Sequence, residues 1–296
     1  MKILVFGGSG RTGQVMVRAA REAGHAVLAP SHDDCDLLRA EAVSDLVLAC
    51  GADAVINCAA ISGIETCLDD PLSAHLINAV APAAMALACR HTGARFIHLS
   101  TDYVLDGRRP GKKNESTKCK PANVYGESKR EGELQVLEAL PTALVARVSW
   151  ICGNPQKPSF VESTLAKALA GQPVAAIADK DSMPTDAADI ARILLHLCTD
   201  PAGRALNGIV QICSTGEPQS WHSCALIALQ HAVEQGALPS LPDLTEQKLA
   251  QATFFRDARP AHTAMEYSPR LAELGLTMPD AVTCLRRVTE RFLAAR

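Results

Sequence analysis

The chain has 296 residues, 48% of them hydrophobic, and its 29 Lys and Arg residues nearly balance 32 Asp and Glu, for a formal net charge of −3. This length and apolar share predict one large globular unit, or a main domain with a smaller lobe, and exclude an intrinsically disordered chain. The charge balance and the 4% aromatic content argue against nucleic-acid binding through basic patches or base-stacking side chains. We therefore expect no nucleic-acid partner.

The sequence also predicts no membrane partner, a cytoplasmic location and no bound metal. The apolar stretch 79–89 is shorter than the roughly 18 residues of a membrane helix. The apolar run at the N-terminus is shorter than a signal-peptide core. The 11 cysteines form no Cys-x-x-Cys pair, so they are interpreted as small buried hydrophobic side chains. No spacing of histidines and carboxylates indicates a metal site.

The first 150 residues alternate short apolar runs with longer helical patterns. The predicted strands cover residues 2–6, 26–29, 54–58, 96–99 and 143–148, and the predicted helices cover 12–23, 42–49, 74–90 and 128–139. Apolar strands that alternate with helices are typical of a parallel sheet covered on both faces. The sequence therefore predicts an α/β fold, with a Rossmann-type doubly wound parallel sheet in residues 1–150.

After residue 150 the pattern loosens. Helices are predicted over residues 160–170 and 187–198, and strands over 174–178 and 208–213. Prolines become more frequent beyond residue 214, which indicates more turns. We predict a smaller, mostly helical substrate-binding lobe in residues 151–296, with segments near 174–213 returning to the sheet.

The first predicted strand leads directly into a glycine-rich turn that opens a helix. The turn residues predicted to bind a cofactor are Gly7, Gly10, Arg11, Thr12 and Gly13. Glycines at this spacing let the backbone turn sharply and approach a pyrophosphate, which then lies at the positive N-terminus of the helix. Together with the strand–turn–helix context, the spacing predicts a dinucleotide-binding site.

The sequence leaves the choice between NADPH and NADH open. The second predicted strand is followed by Asp33, Asp34 and Asp36, and an acidic residue near this point typically holds the ribose hydroxyls of NAD. Arg11 in the glycine turn is the one candidate ligand for the 2′-phosphate of NADP.

Tyr125 and Lys129 are four residues apart at the start of a predicted helix, so they lie on one helix face. A free tyrosine has a pKa of about 10, and a nearby ammonium group lowers that pKa toward the range useful for proton transfer. Thr101 and Asp102 follow the preceding strand, at the sheet edge where ligands bind. The Thr101 hydroxyl is placed to contact the substrate oxygen that Tyr125 protonates.

This combination resembles the extended short-chain dehydrogenase/reductase superfamily and, more closely, the dTDP-4-dehydrorhamnose reductase family. The resemblance spans almost the whole chain. The residues that carry it are S-T-D-Y-V-L-D-G over 100–107, N-C-A-A-I over 57–61, N-V-Y-G-E-S-K over 123–129, R-V-S-W over 147–150, Pro184-Thr185, Ser220-Trp221, and Ala258-Arg259-Pro260 followed by Thr263.

The resemblance implies that the C4 ketone of a dTDP-4-keto-6-deoxyhexose is reduced with hydride from NADPH or NADH. It implies that Tyr125 protonates the developing alkoxide, that Thr101 hydrogen-bonds it, and that Lys129 holds the nicotinamide ribose. The further contacts that it implies are Asp36, Leu37, Ala59, Ala60, Tyr125 and Lys129 for the cofactor, and Thr101, Asp102, Trp150, Thr185 and Arg259 for the nucleotide sugar. A homodimer is compatible with this expectation.

The sequence departs from the family pattern in the loop 108–120. Glu115 is kept, but Lys113 replaces the family's aromatic residue and Thr117 replaces its second acidic residue. This basic loop could recognise a diphosphate or an acidic sugar, although a solvated surface loop is the simpler interpretation. The alternatives to the leading function are another nucleotide-sugar reductase or an epimerase, and a non-catalytic dinucleotide-binding regulatory subunit similar to that of methionine adenosyltransferase.

Three other features have structural interpretations. His98, within an apolar strand, is interpreted as a hydrogen-bonded core histidine, with a proton relay as the alternative. Asp69 and Asp70 precede a proline, which is typical of a helix-start cap. Trp221 is expected to anchor the start of a helix in the second lobe.

Overall fold

The computed structural model describes residues 1–296. Its strands are β1 (Lys2–Phe6), β2 (Ala26–Leu28), β3 (Ala54–Asn57), β4 (Arg95–Thr101), β5 (Leu144–Val148), β6 (Ile151–Cys152), β7 (Val174–Ile177), β8 (Asp181–Ser182), β9 (Thr185–Asp186), β10 (Gly208–Ile212), β11 (Gln219–Ser220) and β12 (Leu244–Gln247). Its α-helices are α1 (Arg11–Glu22), α2 (Ala40–Cys50), α3 (Ile64–Asp69), α4 (Pro71–His75), α5 (Ala81–Thr92), α6 (Val124–Ala139), α7 (Phe160–Leu169), α8 (Ala187–Thr199), α9 (Pro201–Ala205), α10 (Trp221–Glu234), α11 (Pro269–Glu273) and α12 (Ala281–Ala294).

Six parallel strands form the central sheet, in the order β10-β5-β4-β3-β1-β2. The order reverses between β1 and β3, because the chain moves outward from β1 to β2 and then returns to the other side of β1. Ligands of open α/β sheets bind at such a switch point, beyond the carboxyl ends of the strands. The structure thus confirms the predicted doubly wound α/β fold and places its ligand edge after β1, β3, β4 and β5.

Hydrophobic cores lie on both faces of this sheet. Strand β1 contributes to both, with Ile3 and Val5 in the core beneath α1 and α8, and Leu4 and Phe6 in the core beneath α2 and α5. All four side chains are essentially inaccessible to solvent. A strand that is buried on both faces must be apolar throughout, which is why a continuous apolar run predicted it correctly. The glycine turn that follows β1 therefore starts from a rigid platform.

One helix is longer than the sequence pattern indicated. The helices α4 and α5 are joined by the π-helical turn Leu76–Val80 into a single helix over Pro71–Thr92, which has 22 residues and a hydropathy of 1.6. By length and composition this helix could cross a membrane. The prediction from sequence rested on the apolar stretch 79–89 alone and therefore underestimated the length of the helix. Half of the most apolar 18-residue stretch of this helix is buried within the fold, where the helix packs against α2 and α6. This packing is typical of a helix that covers a parallel sheet.

The second half of the chain divides its segments between the sheet and a separate cluster of helices. Helix α8 packs on α1, and β10 pairs with β5 at the sheet edge. Strand β7 instead pairs with β12 and packs against α7 and α10. Of the segments near 174–213, the one at Val174–Ile177 therefore does not return to the sheet. The division of the chain at residue 150 into two domains stays a prediction.

Candidate active site

A cavity of about 370 Å³ opens at the carboxyl ends of β1, β3, β4 and β5. It is lined by Gly10, Arg11, Thr12, Cys58, Ala59, Ala60, Ser62, Ile64, Leu99, Ser100, Thr101, Asp102, Tyr103, Tyr125, Lys129, Val148, Trp150 and Ile151. The residues predicted for catalysis thus face the same space as most of those predicted to bind the cofactor. A second cavity of about 40 Å³ shares Ala59 with the first and is lined by Gly7, Leu37, Ser9, Ser31 and His32, among others.

The glycine turn has a conformation that side chains would prevent. Gly7 has a φ of +73°, and a Cβ there would lie 2.6 Å from the backbone nitrogen of Ala59. A Cβ at Gly13 would lie 2.0 Å from the carbonyl oxygen of Gly7. Gly10 precedes α1 and supplies no side-chain cap, so the first backbone N–H groups of this helix are free to bind an anion. These features fit the pyrophosphate of a dinucleotide.

The side chain of Arg11 turns away from the end of β2. Its guanidinium donates from Nε to the carbonyl of Lys157 (2.9 Å) and from Nη2 to that of Pro158 (3.1 Å). It lines the large cavity and not the small one beyond β2, where a 2′-phosphate ligand was expected. Asp36 lines neither cavity. Its carboxylate is exposed and accepts the N–H of Leu38 (2.9 Å). The structure therefore leaves both NADPH and NADH open.

Tyr125 and Lys129 project from the first turns of α6 into the large cavity. The helix begins at Val124, where the N-cap Asn123 accepts the N–H of Gly126 through its side chain (2.9 Å). Burial raises the pKa of Tyr125 to about 12, although a hydrogen bond with Thr101 partly opposes this rise. The phenol is therefore neutral at neutral pH.

The expected lowering of the Tyr125 pKa by Lys129 is wrong for this arrangement of side chains. Lys129 directs its ammonium group to strand β4, where Nζ donates to the carbonyl of Leu99 (2.7 Å) and lies 3.2 Å from Nε2 of His98. Burial lowers the pKa of Lys129 to about 8. His98 is fully buried, with both ring nitrogens in hydrogen-bond contact, as expected for a core histidine.

Asp102 is the centre of a buried group of hydroxyls beside the cavity. Its carboxylate accepts hydrogen bonds from Thr101 (3.2 Å), Ser149 (3.0 Å) and Ser182 (2.9 Å), and Thr263 donates to Ser182 (3.1 Å). Sequence reasoning missed Ser182, which lies 80 residues from Asp102 along the chain and approaches it only through the folding of the lobe. These contacts fix the carboxylate and orient the Thr101 hydroxyl next to Tyr125.

Lys180 is a second residue that the sequence did not indicate. It is buried, donates to the carbonyl of Pro260 (2.6 Å) and lies 5.2 Å from the ring centre of Tyr103. Tyr103 in turn packs edge-on against Tyr125, with ring centres 5.6 Å apart. Lys180 therefore supports the tyrosine side of the cavity from behind, through a contact with Tyr103 that only the fold reveals.

Trp150 forms the wall between the cavity and the helical lobe. It is the only residue other than glycine with a positive φ, at +30°, a strained conformation that folded proteins tend to retain at functional sites. Its ring stacks on Trp221 at 5.7 Å. Thr185 is buried behind it and does not reach the cavity, because its hydroxyl donates to the carbonyl of Met183 (2.9 Å) and its N–H to that of Trp150 (3.0 Å).

Arg259 lies beside the cavity rather than in it. Its guanidinium donates to both carboxylate oxygens of Glu65 at 2.6 and 2.7 Å and lies 4.3 Å from the ring centre of Phe255. Glu65 belongs to α3, next to Ile64, which does line the cavity. This ion pair connects the lobe to the edge of the site.

The basic loop 108–120 is anchored to the protein and does not line the large cavity. Lys113 is 6% exposed, and its Nζ donates to the carbonyls of Arg109 (2.6 Å) and Gly111 (2.7 Å). Its backbone N–H donates to the carbonyl of Ala264 (2.9 Å). The lysine that replaces the family's aromatic residue thus closes the loop on itself.

Comparison with known proteins places the chain in a family. The model of the RmlD substrate binding domain matches residues 1–293. A dTDP-4-dehydrorhamnose reductase of Burkholderia thailandensis is 30% identical over 95% of both chains. One from Mycolicibacterium smegmatis is 35% identical over 66% of this chain, which corresponds to 60% of that relative's length. A Streptomyces antibioticus relative, named a probable dTDP-4,6-dihydroxy-2-methyloxan-3-one 4-ketoreductase, is 33% identical over 76% of this chain and 75% of its own.

Solved structures agree on the fold. A dTDP-4-dehydrorhamnose reductase from Bacillus anthracis in complex with NADP superimposes with a TM-score of 0.87 and 23% identity, covering 100% of this chain and 99% of that one. UDP-glucose 4-epimerase from Thermotoga maritima gives a TM-score of 0.80 at 16% identity, over 100% and 99% of the two chains. From the match over residues 1–293 and the relatives at 30% identity or more, the chain belongs to the RmlD substrate binding domain family.

Proposed function

We propose that the chain is an NAD(P)H-dependent oxidoreductase that reduces the C4 ketone of a dTDP-4-keto-6-deoxyhexose. The observation that carries this proposal is that the glycine turn and the group Thr101, Tyr125 and Lys129 line one cavity. The relatives named dTDP-4-dehydrorhamnose reductase support the substrate class. The NADP complex of the Bacillus anthracis protein supports a nicotinamide dinucleotide.

The residues around the glycine turn and along the two cavities fit this cofactor. The backbone N–H groups at the start of α1 would hold the pyrophosphate, since Gly7 and Gly13 let the turn approach it closely. Leu37 and the small cavity take the adenosine side. Ala59, Ala60 and Lys129 lie on the opposite side, toward Thr101 and Tyr125. The bound cofactor supplies a hydride to the carbonyl carbon of the sugar.

Tyr125 supplies the proton. As hydride arrives, the carbonyl oxygen gains negative charge, and positioned donors stabilise that charge. Tyr125 is neutral at neutral pH because its pKa is raised to about 12, so its hydroxyl carries the proton that the oxygen requires. The single hydrogen of the Thr101 hydroxyl is donated to Asp102 in the free protein (3.2 Å) and turns to the same oxygen when the sugar is bound. The phenolate left on Tyr125 regains a proton from solvent before the next turnover.

The nucleotide sugar extends from this point along Trp150 toward the lobe. Trp150 supplies a flat apolar face, and Arg259, fixed by Glu65, lies at the edge of the site with a charge that suits a diphosphate. A different keto-sugar nucleotide is the second candidate substrate. It is favoured by the Streptomyces antibioticus relative.

The test is nicotinamide oxidation by the purified protein with a dTDP-4-keto-6-deoxyhexose, with NADPH and NADH supplied separately. Tyr125→Phe is expected to lower kcat by about 100-fold or more and to change NADPH affinity far less than kcat. Tyr267→Phe is the matched control, because the Tyr267 hydroxyl donates to the carbonyl of Leu276 (2.9 Å) away from the cavity; it should retain the wild-type rate.

Each other outcome points to a different function. Cofactor binding without turnover of this sugar would rule out the dTDP-4-keto-6-deoxyhexose, and turnover of another keto-sugar nucleotide would establish the second candidate. Co-purified NAD⁺ with no consumption of external reductant would indicate an epimerase. A stoichiometric synthetase partner without ketone reduction would indicate a regulatory subunit.

A further inference from the structure

A buried row of polar side chains connects Lys129 to the cofactor edge of the sheet. Lys129 Nζ lies 3.2 Å from Nε2 of His98, and Nδ1 of His98 lies 3.0 Å from Nδ2 of Asn57. Oδ1 of Asn57 accepts the backbone N–H of Ala59 (2.9 Å), and Ala59 lines both cavities. Asn57, His98 and Lys129 are at most 2% exposed. Water therefore does not replace these contacts.

The donors and acceptors in this row determine each other. The Ala59 N–H needs an acceptor, so Asn57 presents its oxygen to Ala59 and its NH₂ group to His98. An NH₂ group only donates, so Nδ1 of His98 must carry a lone pair. Neutral imidazole then carries its single hydrogen on Nε2, which faces Lys129. In this arrangement Lys129 accepts that hydrogen bond as a neutral amine, while it donates to the carbonyl of Leu99 (2.7 Å).

When Lys129 is an ammonium, the same row must reverse. The ammonium has no lone pair and donates to Nε2, so the hydrogen of His98 moves to Nδ1. Nδ1 then needs an acceptor, which only the oxygen of Asn57 can provide if its amide rotates. That rotation turns the NH₂ group of Asn57 toward Ala59 and frees the Ala59 N–H. The charge on Lys129 is thereby tied to a backbone donor at the cofactor edge.

The other groups around Lys129 do not replace this coupling. Glu133, one turn further along α6, favours the ammonium, but its carboxylate is shared between Arg147 (2.7 Å) and Arg130 (2.7 Å). Burial raises the pKa of Cys58 to about 12, so its thiol is neutral, as is the phenol of Tyr125. His98 is also neutral, because burial and Lys129 hold its pKa well below the ordinary value.

We propose that His98 and Asn57 are positioning residues that couple the protonation of Lys129 to the hydrogen bonding of Ala59 at the cofactor edge. The consequence for turnover rests on the proposed function, in which Lys129 holds the nicotinamide ribose. The tautomer exchange itself is a property of the protein without substrate. It is fully reversible, since one proton binds to Lys129 and one hydrogen moves between the two nitrogens of His98.

The first test reads the His98 tautomer directly. In protein labelled with ¹⁵N-histidine, ¹⁵N shifts distinguish a protonated ring nitrogen from one with a lone pair, and His98→Gln identifies the signal among the 9 histidines. We expect hydrogen on Nε2 well above pH 8 and on Nδ1 well below it, with a midpoint near the Lys129 pKa of about 8. One tautomer throughout that range, or a doubly protonated ring, would overturn the proposal. This result does not depend on turnover.

The second test distinguishes the relay, which is the coupling of Lys129 to Ala59 through His98 and Asn57, from a direct effect of charge on Lys129. Asn57→Asp has two acceptor oxygens, so it bonds Ala59 and also fixes hydrogen on Nδ1 of His98, which favours the ammonium of Lys129. We expect the alkaline midpoint in the pH dependence of NADPH binding to rise by about one unit or more. In a His98→Gln background, Asn57→Asp should shift this midpoint by less than half as much, because glutamine has no group at the Nδ1 position.

An equal shift in both backgrounds would show that the new carboxylate acts through space and would contradict the relay. His98 in the Asn57→Asp variant should also keep hydrogen on Nδ1 above pH 8, which the labelled protein shows independently. If the labelled protein shows the exchange while no keto-sugar is reduced, the proposed function fails and the coupling stands. If turnover is found without the exchange, the coupling fails and the function stands.

Discussion

The two sides of the cavity are built differently. On the cofactor side, the close contacts are between backbone atoms within one strand–turn–helix unit, such as the approach of Gly13 to Gly7. On the substrate side, they come from side-chain pairs across long separations, such as Glu65 with Arg259, 194 residues apart. Backbone contacts within a strand–turn–helix unit tolerate no added atom, whereas a paired side chain can be replaced or reoriented. The cofactor side should therefore be more sensitive to small substitutions.

The largest effect on cofactor binding is expected at Gly13. A Cβ there would lie 2.0 Å from the carbonyl oxygen of Gly7, with only backbone around it, so Gly13→Ala must displace the turn from α1. We expect NADPH affinity to fall at least tenfold, about 1.4 kcal/mol, measured by fluorescence titration.

Gly10→Ala is the graded control for that prediction. Its Cβ would lie 3.2 Å from the same carbonyl oxygen, which a small adjustment relieves, so its loss of affinity should be clearly smaller. Equal losses in the two variants would mean that steric fit of the glycines does not govern binding on this side.

The same contrast explains how much could be predicted from sequence. Strand β1, the glycine turn and the pair Tyr125 and Lys129 were predictable because neighbouring residues determine their spacing and burial. The direction of the Lys129 side chain was not, since it depends on His98 and the carbonyl of Leu99 in another strand. Sequence periodicity predicts which helix face a residue lies on, but not which hydrogen-bond acceptor its side chain will contact.

On the substrate side, the resemblance to a family named residues whose positions only the fold could reveal. Trp150 reaches the cavity, whereas Thr185 and Arg259 support it from behind and from the side. Ser182 was missed because its contact with Asp102 requires the lobe to fold back onto the sheet. Pairings of this kind leave no local pattern in the sequence.

The second effect in size is expected for the ion pair between Glu65 and Arg259. The Arg259 side chain is 7% exposed and that of Glu65 is 32% exposed, so Glu65→Ala leaves a largely buried guanidinium without its partner. We expect the free energy of unfolding to fall by about 1–2 kcal/mol, after allowance for the partial exposure of Glu65, and NADPH affinity to remain unchanged. Urea unfolding and cofactor titration measure the two quantities.

Arg256→Ala provides the comparison within the same segment. The pair of Arg256 and Asp69 has side chains that are 55% and 58% exposed, and exposed pairs contribute little. Its loss should therefore destabilise the protein less than Glu65→Ala does. A larger loss for Arg256, or a parallel loss of NADPH affinity in either variant, would contradict the separation of the two sides.

The smallest effect is expected at Thr185, and it decides whether this residue contacts substrate. Its hydroxyl is buried and donates to the carbonyl of Met183 (2.9 Å). Thr185→Val keeps the shape and removes one hydrogen bond, so unfolding should become easier by about 1 kcal/mol. Since the hydroxyl does not line the cavity, KM for the nucleotide sugar should change by less than about twofold, 0.4 kcal/mol. A tenfold rise in KM with wild-type stability would instead make Thr185 a direct substrate ligand, reached through movement of the Trp150 wall.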